Sequence, residues 1–162
     1  MVILVYGEDM LRVKEKREEL MGAFKTKHDP SGINAERFAF PEQQDAFLQA
    51  IGAIPFIAKR RICVAEGLAE TITKKDDAAT WTKRWAGRGD ETIIVLVDGG
   101  LTIEQSRKNK LYTALQGMKD WPGGGPHWKG GGLGPAVTFS AERRQGVDAI
   151  YLNPIFQSTA NH

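Results

Sequence analysis

Two segments of the chain are apolar on both faces, Val2-Ile-Leu-Val-Tyr6 and Thr92-Ile-Ile-Val-Leu-Val97. A strand with one wet face alternates polar and apolar residues. A run without alternation has to be covered from both sides, as in the centre of a parallel sheet flanked by helices. The stretches between these runs supply the expected helices and further strands. Met10, Val13, Leu20, Met21 and Phe24 recur at helical spacing over 9–24, interrupted at Arg17, with Lys14, Glu15, Lys16, Glu18 and Glu19 on the wet face. Asp29-Pro-Ser-Gly32 is a turn. Ile33 to Phe40 alternates, with Asn34, Glu36 and Arg37 among its apolar residues, and predicts a second strand. Pro41 suits the first position of a helix carrying Phe47, Leu48 and Ile51, which Gly52 ends. Ile62-Cys-Val-Ala65 is a third strand. Thr73 with Asp76 approximates a capping box ahead of the stripe Ala78, Trp81 and Trp85. Thr102 with Gln105 forms another ahead of Leu111, Tyr112 and Leu115, on a helix that Gly117 terminates. Strand–helix alternation of this kind predicts an α/β fold: a parallel sheet with helices on both faces.

The alternation stops near Asp120. Residues 120–162 hold 8 of the 18 glycines and 4 of the 7 prolines. Most of these sit in Trp121-Pro-Gly-Gly-Gly-Pro-His-Trp-Lys-Gly-Gly-Gly-Leu-Gly-Pro135, a run that excludes helix or strand interior. A length of 162 residues suits one domain and a remnant. The expected division is a domain over 1–119 and a largely irregular Gly/Pro-rich tail over 120–162.

Composition narrows the function classes. The single cysteine excludes a disulfide scaffold. No apolar run approaches the ~18 residues of a spanning helix, so no membrane partner is expected. The start, Met1 to Met10, lacks a basic region and meets Glu8 and Asp9 early, unlike a signal peptide, and the expected compartment is the cytoplasm. A net charge of +2, from 22 basic and 20 acidic side chains, gives no dedicated nucleic-acid surface.

Catalytic chemistry is equally sparse. A phosphate cradle needs several glycines, then a Lys and a hydroxyl. The loop after the first strand instead reads Gly7-Glu-Asp-Met-Leu-Arg-Val13, and its two acids repel phosphate. Val95-Leu-Val-Asp98 looks like a strand ending in a metal-holding Asp, but also like a strand-end Asp before a Gly-Gly turn, and the missing phosphate loop favours the second. His28, His127 and His162 lack paired metal-ligand spacing, and Cys63 lies inside an apolar strand as a small buried hydrophobe. No catalytic residue, metal or cofactor is expected. The first 119 residues therefore read as a binding module on an ATPase-like framework. Ile54, Pro55, Phe56 and Ile57 sit between turns, flanked by Lys59, Arg60 and Arg61. Two readings stand for them: an exposed apolar wedge for a partner's pocket, or core side chains beside solvated cations.

Four segments carry a resemblance: Val5-Tyr-Gly-Glu-Asp9; Pro30-Ser-Gly-Ile-Asn-Ala-Glu-Arg-Phe38; Ile54-Pro-Phe-Ile-Ala-Lys-Arg-Arg61; and Ser106-Arg-Lys-Asn-Lys-Leu-Tyr112. In order and spacing, over about residues 2–119, they resemble the N-terminal domain of the delta subunit of bacterial DNA polymerase III, a clamp-loader component. The resemblance implies an ATPase-like (RecA/AAA+-like) sheet that binds no ATP and hydrolyses none. It implies a partner, the ring-shaped sliding clamp, which such a domain opens by inserting two apolar side chains that follow the position of Pro55. Here these are Phe56 and Ile57, with Ile54 and Pro55 beside them and Lys59, Arg60 and Arg61 in support. The family favours Phe at the second position, where this chain has Ile57. Burying both side chains supplies ~3–6 kcal/mol before ordering costs. The other loader subunits are implied partners, and DNA is one only through the assembled complex. In that family a further strand and a small helical domain follow.

The tail resembles something else. Gly146 to His162 is similar to an early barrel strand and loop of the α-amylase family of glycoside hydrolases, and Trp121 to Gly130 resembles the stretch leading into it. The helix expected between them is degraded to Ala136–Arg144. This alternative implies an inactive fragment: Asp148 matches neither of the two acids that flank a scissile glycosidic bond, and one strand makes no barrel. Two origins stand for the tail, a joining of two reading frames or a diverged loop and strand of the first domain.

Overall fold

A computed structural model of the chain describes residues 2–86, 91–116, 139–144 and 147–152. The first apolar run is β1 (Val2–Gly7), followed by α1 (Met10–His28), β2 (Ala35–Ala39) and α2 (Gln44–Gly52). Then come β3 (Arg61–Glu66), the single turn α3 (Leu68–Thr71), α4 (Lys75–Ala86) and β4 (Thr92–Gly99). Two short helices, α5 (Ile103–Lys108) and α6 (Lys110–Gln116), and two strands, β5 (Phe139–Arg144) and β6 (Val147–Leu152), complete the described elements. They build one sheet in the order β2-β3-β4-β1-β6-β5. The first four strands are mutually parallel, β6 runs parallel to β1, and β5 runs antiparallel to β6.

The two-sided burial expected of β1 and β4 is realised side chain by side chain. Val2, Leu4 and Tyr6 of β1 join Ile94 and Leu96 of β4 in a core with Phe47, Leu68, Trp81, Trp85, Leu111 and Leu115. Ile3 and Val5 join Ile93, Val95 and Val97 on the opposite face, under Val13, Leu20, Met21 and Phe24 of α1. The first face is extended by a run of rings from Phe38 through Phe47, Phe40 and Trp81 to Trp85, with centroids 5.3–6.0 Å apart. Parallel strands whose alternate side chains reach different helical layers form the architecture that such apolar runs require.

Capping residues set the helix boundaries. Asp9 caps α1, its Oδ1 accepting from the N–H groups of Leu11 at 2.9 Å and Arg12 at 3.2 Å. The expected box at α5 is present: Gln105 N–H donates to Thr102 Oγ1 at 3.1 Å, and Thr102 N–H donates to Gln105 Oε1 at 2.9 Å. The stretch read as one helix to Leu115 breaks at Asn109, whose Oδ1 accepts from Leu111 and Tyr112 N–H while its Nδ2 donates to the Ala69 carbonyl. Asn109 thus restarts the helix and ties it to α3.

Three local expectations need correction. Pro41 does not open α2: the Phe40–Pro41 peptide is cis and the helix begins at Gln44. Thr73 is not the cap of α4, because the Lys74 carbonyl accepts from Ala78 and the helix begins at Lys75. Lys16 is 1 % exposed rather than wet. It lies on the same stripe as Val13 and Leu20, so its stem packs with them while its Nζ reaches Glu19 at 2.8 Å. The tail, expected to be largely irregular around a strand fragment, holds two strands among its described residues, Phe139–Arg144 and Val147–Leu152. The physical reason is β1's second edge, a row of backbone groups that Val147–Leu152 pairs residue for residue from Val2↔Val147 to Gly7↔Leu152. The boundary at 119/120 falls outside the described residues.

The centre of the sheet is where truncation should be felt most. Leu96 is fully buried between β1 and β3. Leu96→Ala is expected to lower the free energy of unfolding by about 2–5 kcal/mol, with an unchanged denaturant slope, in urea titration.

Candidate protein-binding site

The amino ends of β2, β3 and β4 gather one loop. Residues 53–60 run from the end of α2 to the start of β3, and β3 begins with Arg61 N–H donating to the Glu91 carbonyl just before β4. On this loop Ile54 is 83 % exposed, Phe56 61 % and Ile57 90 %, with Pro55 half-buried. Ile54, Phe56 and Ile57 thus face solvent and not the core.

The loop's shape is not random. Ala58 N–H donates to the Phe56 carbonyl at 2.7 Å, closing a γ-turn around Ile57, whose φ is +63°. Positive φ in a β-branched residue is strained and survives only where surrounding contacts hold it. Asn34, immediately before β2, is in contact with this turn. Phe56 N–H donates to Asn34 Oδ1 at 2.7 Å, and Asn34 Nδ2 donates to the Phe56 carbonyl at 2.8 Å. Asn34 is itself held by Asp29, whose Oδ2 accepts from its backbone N–H at 2.7 Å and from Nδ2 at 3.3 Å. Hydrogen bonds from Ser31 and then from the Asn34 backbone hold the Asp29 carboxyl below its ordinary range.

The three flanking cations separate. Lys59 and Arg60 are exposed beside the loop. Arg61 turns away from it: its Nη1 donates to the Ala50 carbonyl at the end of α2 at 3.1 Å and lies 3.7 Å from Glu36. Arg61 is therefore a tie between α2, β2 and β3. Arg60 and Lys27 both approach His28, and burial followed by these two positive charges lowers the His28 pKa. Sequence reading missed two residues here. Asn34 reads as a wet-face strand residue but is completely buried, and Ile33 beside it is 56 % exposed, adding apolar surface next to the residue that grips Phe56.

The carboxyl ends of the strands, where open α/β sheets usually bind ligands, are occupied by the chain's own groups. The Asp9 carboxylate takes the N–H groups at the start of α1, the position a phosphate would need. Asp98, 1 % exposed, accepts from the Tyr112 hydroxyl at 2.6 Å. Cys63 is buried in β3, its thiol pushed up to about 12 by burial. Among the described residues no group of His, Cys, Asp and Glu is placed to hold a metal ion, and no helix is long and apolar enough to cross a membrane. An open cleft of about 410 Å³ between α2 and α4 is lined by Gln44, Asp77, Thr80 and Trp81, with Arg84 lying 5.7 Å from the Trp81 ring centroid. His127 and His162 lie outside the described residues, as does the side chain of Asp148. No protein-family model matches the chain, and no curated protein matches it.

Two measurements check this geometry. Burial pushes Asp98 up to about 6, against the opposing Tyr112 hydrogen bond. The fold thus favours the neutral acid, and the penalty for ionising it is absent below the ordinary carboxyl range and complete once pH passes about 6. Relative to Asp98→Asn, the parent should lose on the order of 2–3 kcal/mol between about pH 4 and pH 7 in urea unfolding; parallel profiles would contradict this. At Ile57, glycine relieves ~1–2 kcal/mol of positive-φ strain against ~0.5–1 kcal/mol of added chain entropy, and almost no burial is lost. Ile57→Gly is expected to leave stability unchanged or raised, by up to about 1.5 kcal/mol; a clear loss would mean that the turn is unstrained.

Proposed function

We propose that this chain is a delta-like clamp-loader module of bacterial DNA replication, which binds a ring-shaped sliding clamp through Phe56 and Ile57 and hydrolyses no ATP itself. One observation carries the reading: two large apolar side chains, 61 % and 90 % exposed, stand on a turn that is strained at Ile57. A soluble fold gains nothing from holding exposed apolar groups in a high-energy conformation, so strain kept at such a place argues for use. Ile54 and Pro55 widen the wedge, and Lys59 and Arg60 flank it.

Other features support the same reading. Helices on both faces of the parallel sheet support the ATPase-like reading, and Asp9 fills the place after β1 where such folds cradle phosphate. β6 runs parallel to β1, and the resemblance implies a further strand after the first 119 residues, which supports taking 147–152 as part of this sheet rather than as a foreign remnant. The mechanism is mechanical. Burying the wedge in a pocket on the clamp supplies ~3–6 kcal/mol before ordering costs, and a pocket shaped only in a distorted clamp would bias the ring toward that conformation. Loader subunits and DNA enter through the assembled complex.

The test is direct binding of the full chain to its cognate sliding clamp, by surface plasmon resonance. Phe56→Ala with Ile57→Ala is expected to weaken binding by 100-fold or more, on the order of 3 kcal/mol, with the fold intact. No binding by the parent, or equal binding by the double variant, defeats the assignment.

A further inference from the structure

We infer that Asn34 is the positioning residue of this wedge: its carboxamide presets Phe56 and Ile57 in a binding shape before any partner arrives. The inference rests on the proposed clamp-binding role for its purpose, but the geometry stands independently. A primary carboxamide offers an acceptor and a donor side by side, the same pair that one residue of a neighbouring strand would offer. Asn34 uses both on a single residue, Phe56, with bonds of 2.7 Å and 2.8 Å. The loop is thereby held as if by one rung of sheet, although no strand runs there.

Three further facts make this a built device rather than a chance contact. Asn34 is fully buried, so water reaches its two bonds to Phe56 only from the loop side. Its Nδ2 and backbone N–H both point to Asp29 Oδ2, which fixes the orientation of the amide. The Phe56 carbonyl accepts from Asn34 and also from Ala58 N–H, the bond that closes the γ-turn. One oxygen therefore joins the buried support to the strained residue. Removing the carboxamide frees the turn at its first corner, and Ile57 then relaxes from positive φ.

The consequence is energetic as well as geometric. A preset loop loses little conformational freedom on binding, whereas a loose one has to be ordered at that moment. Loss of Asn34 should thus weaken binding while both contacting side chains remain. The side chains of Asp29 and Ser31 act one step further back.

The experiment measures hydrogen exchange in the full chain without a partner, then clamp binding. In the parent, the Phe56 amide is expected to exchange at least 100-fold more slowly than in an unfolded chain. In Asn34→Ala that protection should fall at least tenfold, while amides of β1 and β4 stay protected and clamp affinity drops at least tenfold. In Phe56→Ala with Ile57→Ala, clamp binding should go while the amide at position 56 stays protected. Unprotected Phe56 in the folded parent overturns the inference without any variant, should Asn34→Ala fail to fold. Unchanged protection in a folded Asn34→Ala overturns it as well, as does full clamp affinity in that variant. A parent with a protected loop that binds no clamp defeats the clamp reading instead, and with it the purpose assigned to Asn34, while the preset turn itself stands.

Discussion

Everything in this molecule hangs on β1 and β4 having no wet side. Because Val2, Leu4 and Tyr6 face one layer while Ile3 and Val5 face the other, the strand cannot slip by one residue without exchanging two complete sets of core contacts. The register then dictates where each loop emerges. Helix α1 must return along one face so that β2 can run parallel, and the turn at Asp29 must lie at the amino end of the sheet. The segment after α2 must return to that same end to start β3. Asn34 and Phe56 are neighbours because two crossovers in one parallel sheet return to the same end of it.

The two ends of the sheet are chemically different as a result. At the carboxyl end, polar groups satisfy each other: Asp9 with α1, Asp98 with Tyr112, and Arg17 with Glu66 at 2.8 Å. At the amino end Asp29, Asn34 and the Phe56 backbone bond to one another, and the apolar Ile54, Phe56 and Ile57 face outward with Lys59 and Arg60 beside them. Enclosing hydrogen bonds beneath an apolar surface is how a loop can be stiff and still present side chains that water disfavours.

Local signals carried much of this. The stripe under α1, the box at Thr102 and Gln105, and the four strands of the first 119 residues follow from period and capping chemistry, which depend on near neighbours. What stayed hidden depends on distant ones. Asn34 in an alternating run reads as solvent-facing, and its burial is decided by a backbone 22 residues away. Ile57 is among the residues least expected at positive φ, so no propensity rule could place a γ-turn there. Arg17 interrupts an apolar stripe because its partner, Glu66, lies on another element. Arg61 reads as one of three equal cations, and only the fold separates it, by bringing the Ala50 carbonyl within reach. Pro41 at the head of a helix is a sound local expectation, but the helix begins at Gln44.

The pairing of β1 with β6 means that the most apolar strand of the sheet owes one of its two neighbours to the far end of the chain. A protein shortened to its first 119 residues would carry β1 as a bare margin, six residues of unmatched backbone with apolar side chains above and below. Such a margin invites the same margin of a second molecule. The last strands, whatever their ancestry, therefore serve as a selvedge: they finish the cloth at the place where it would otherwise join to the next piece.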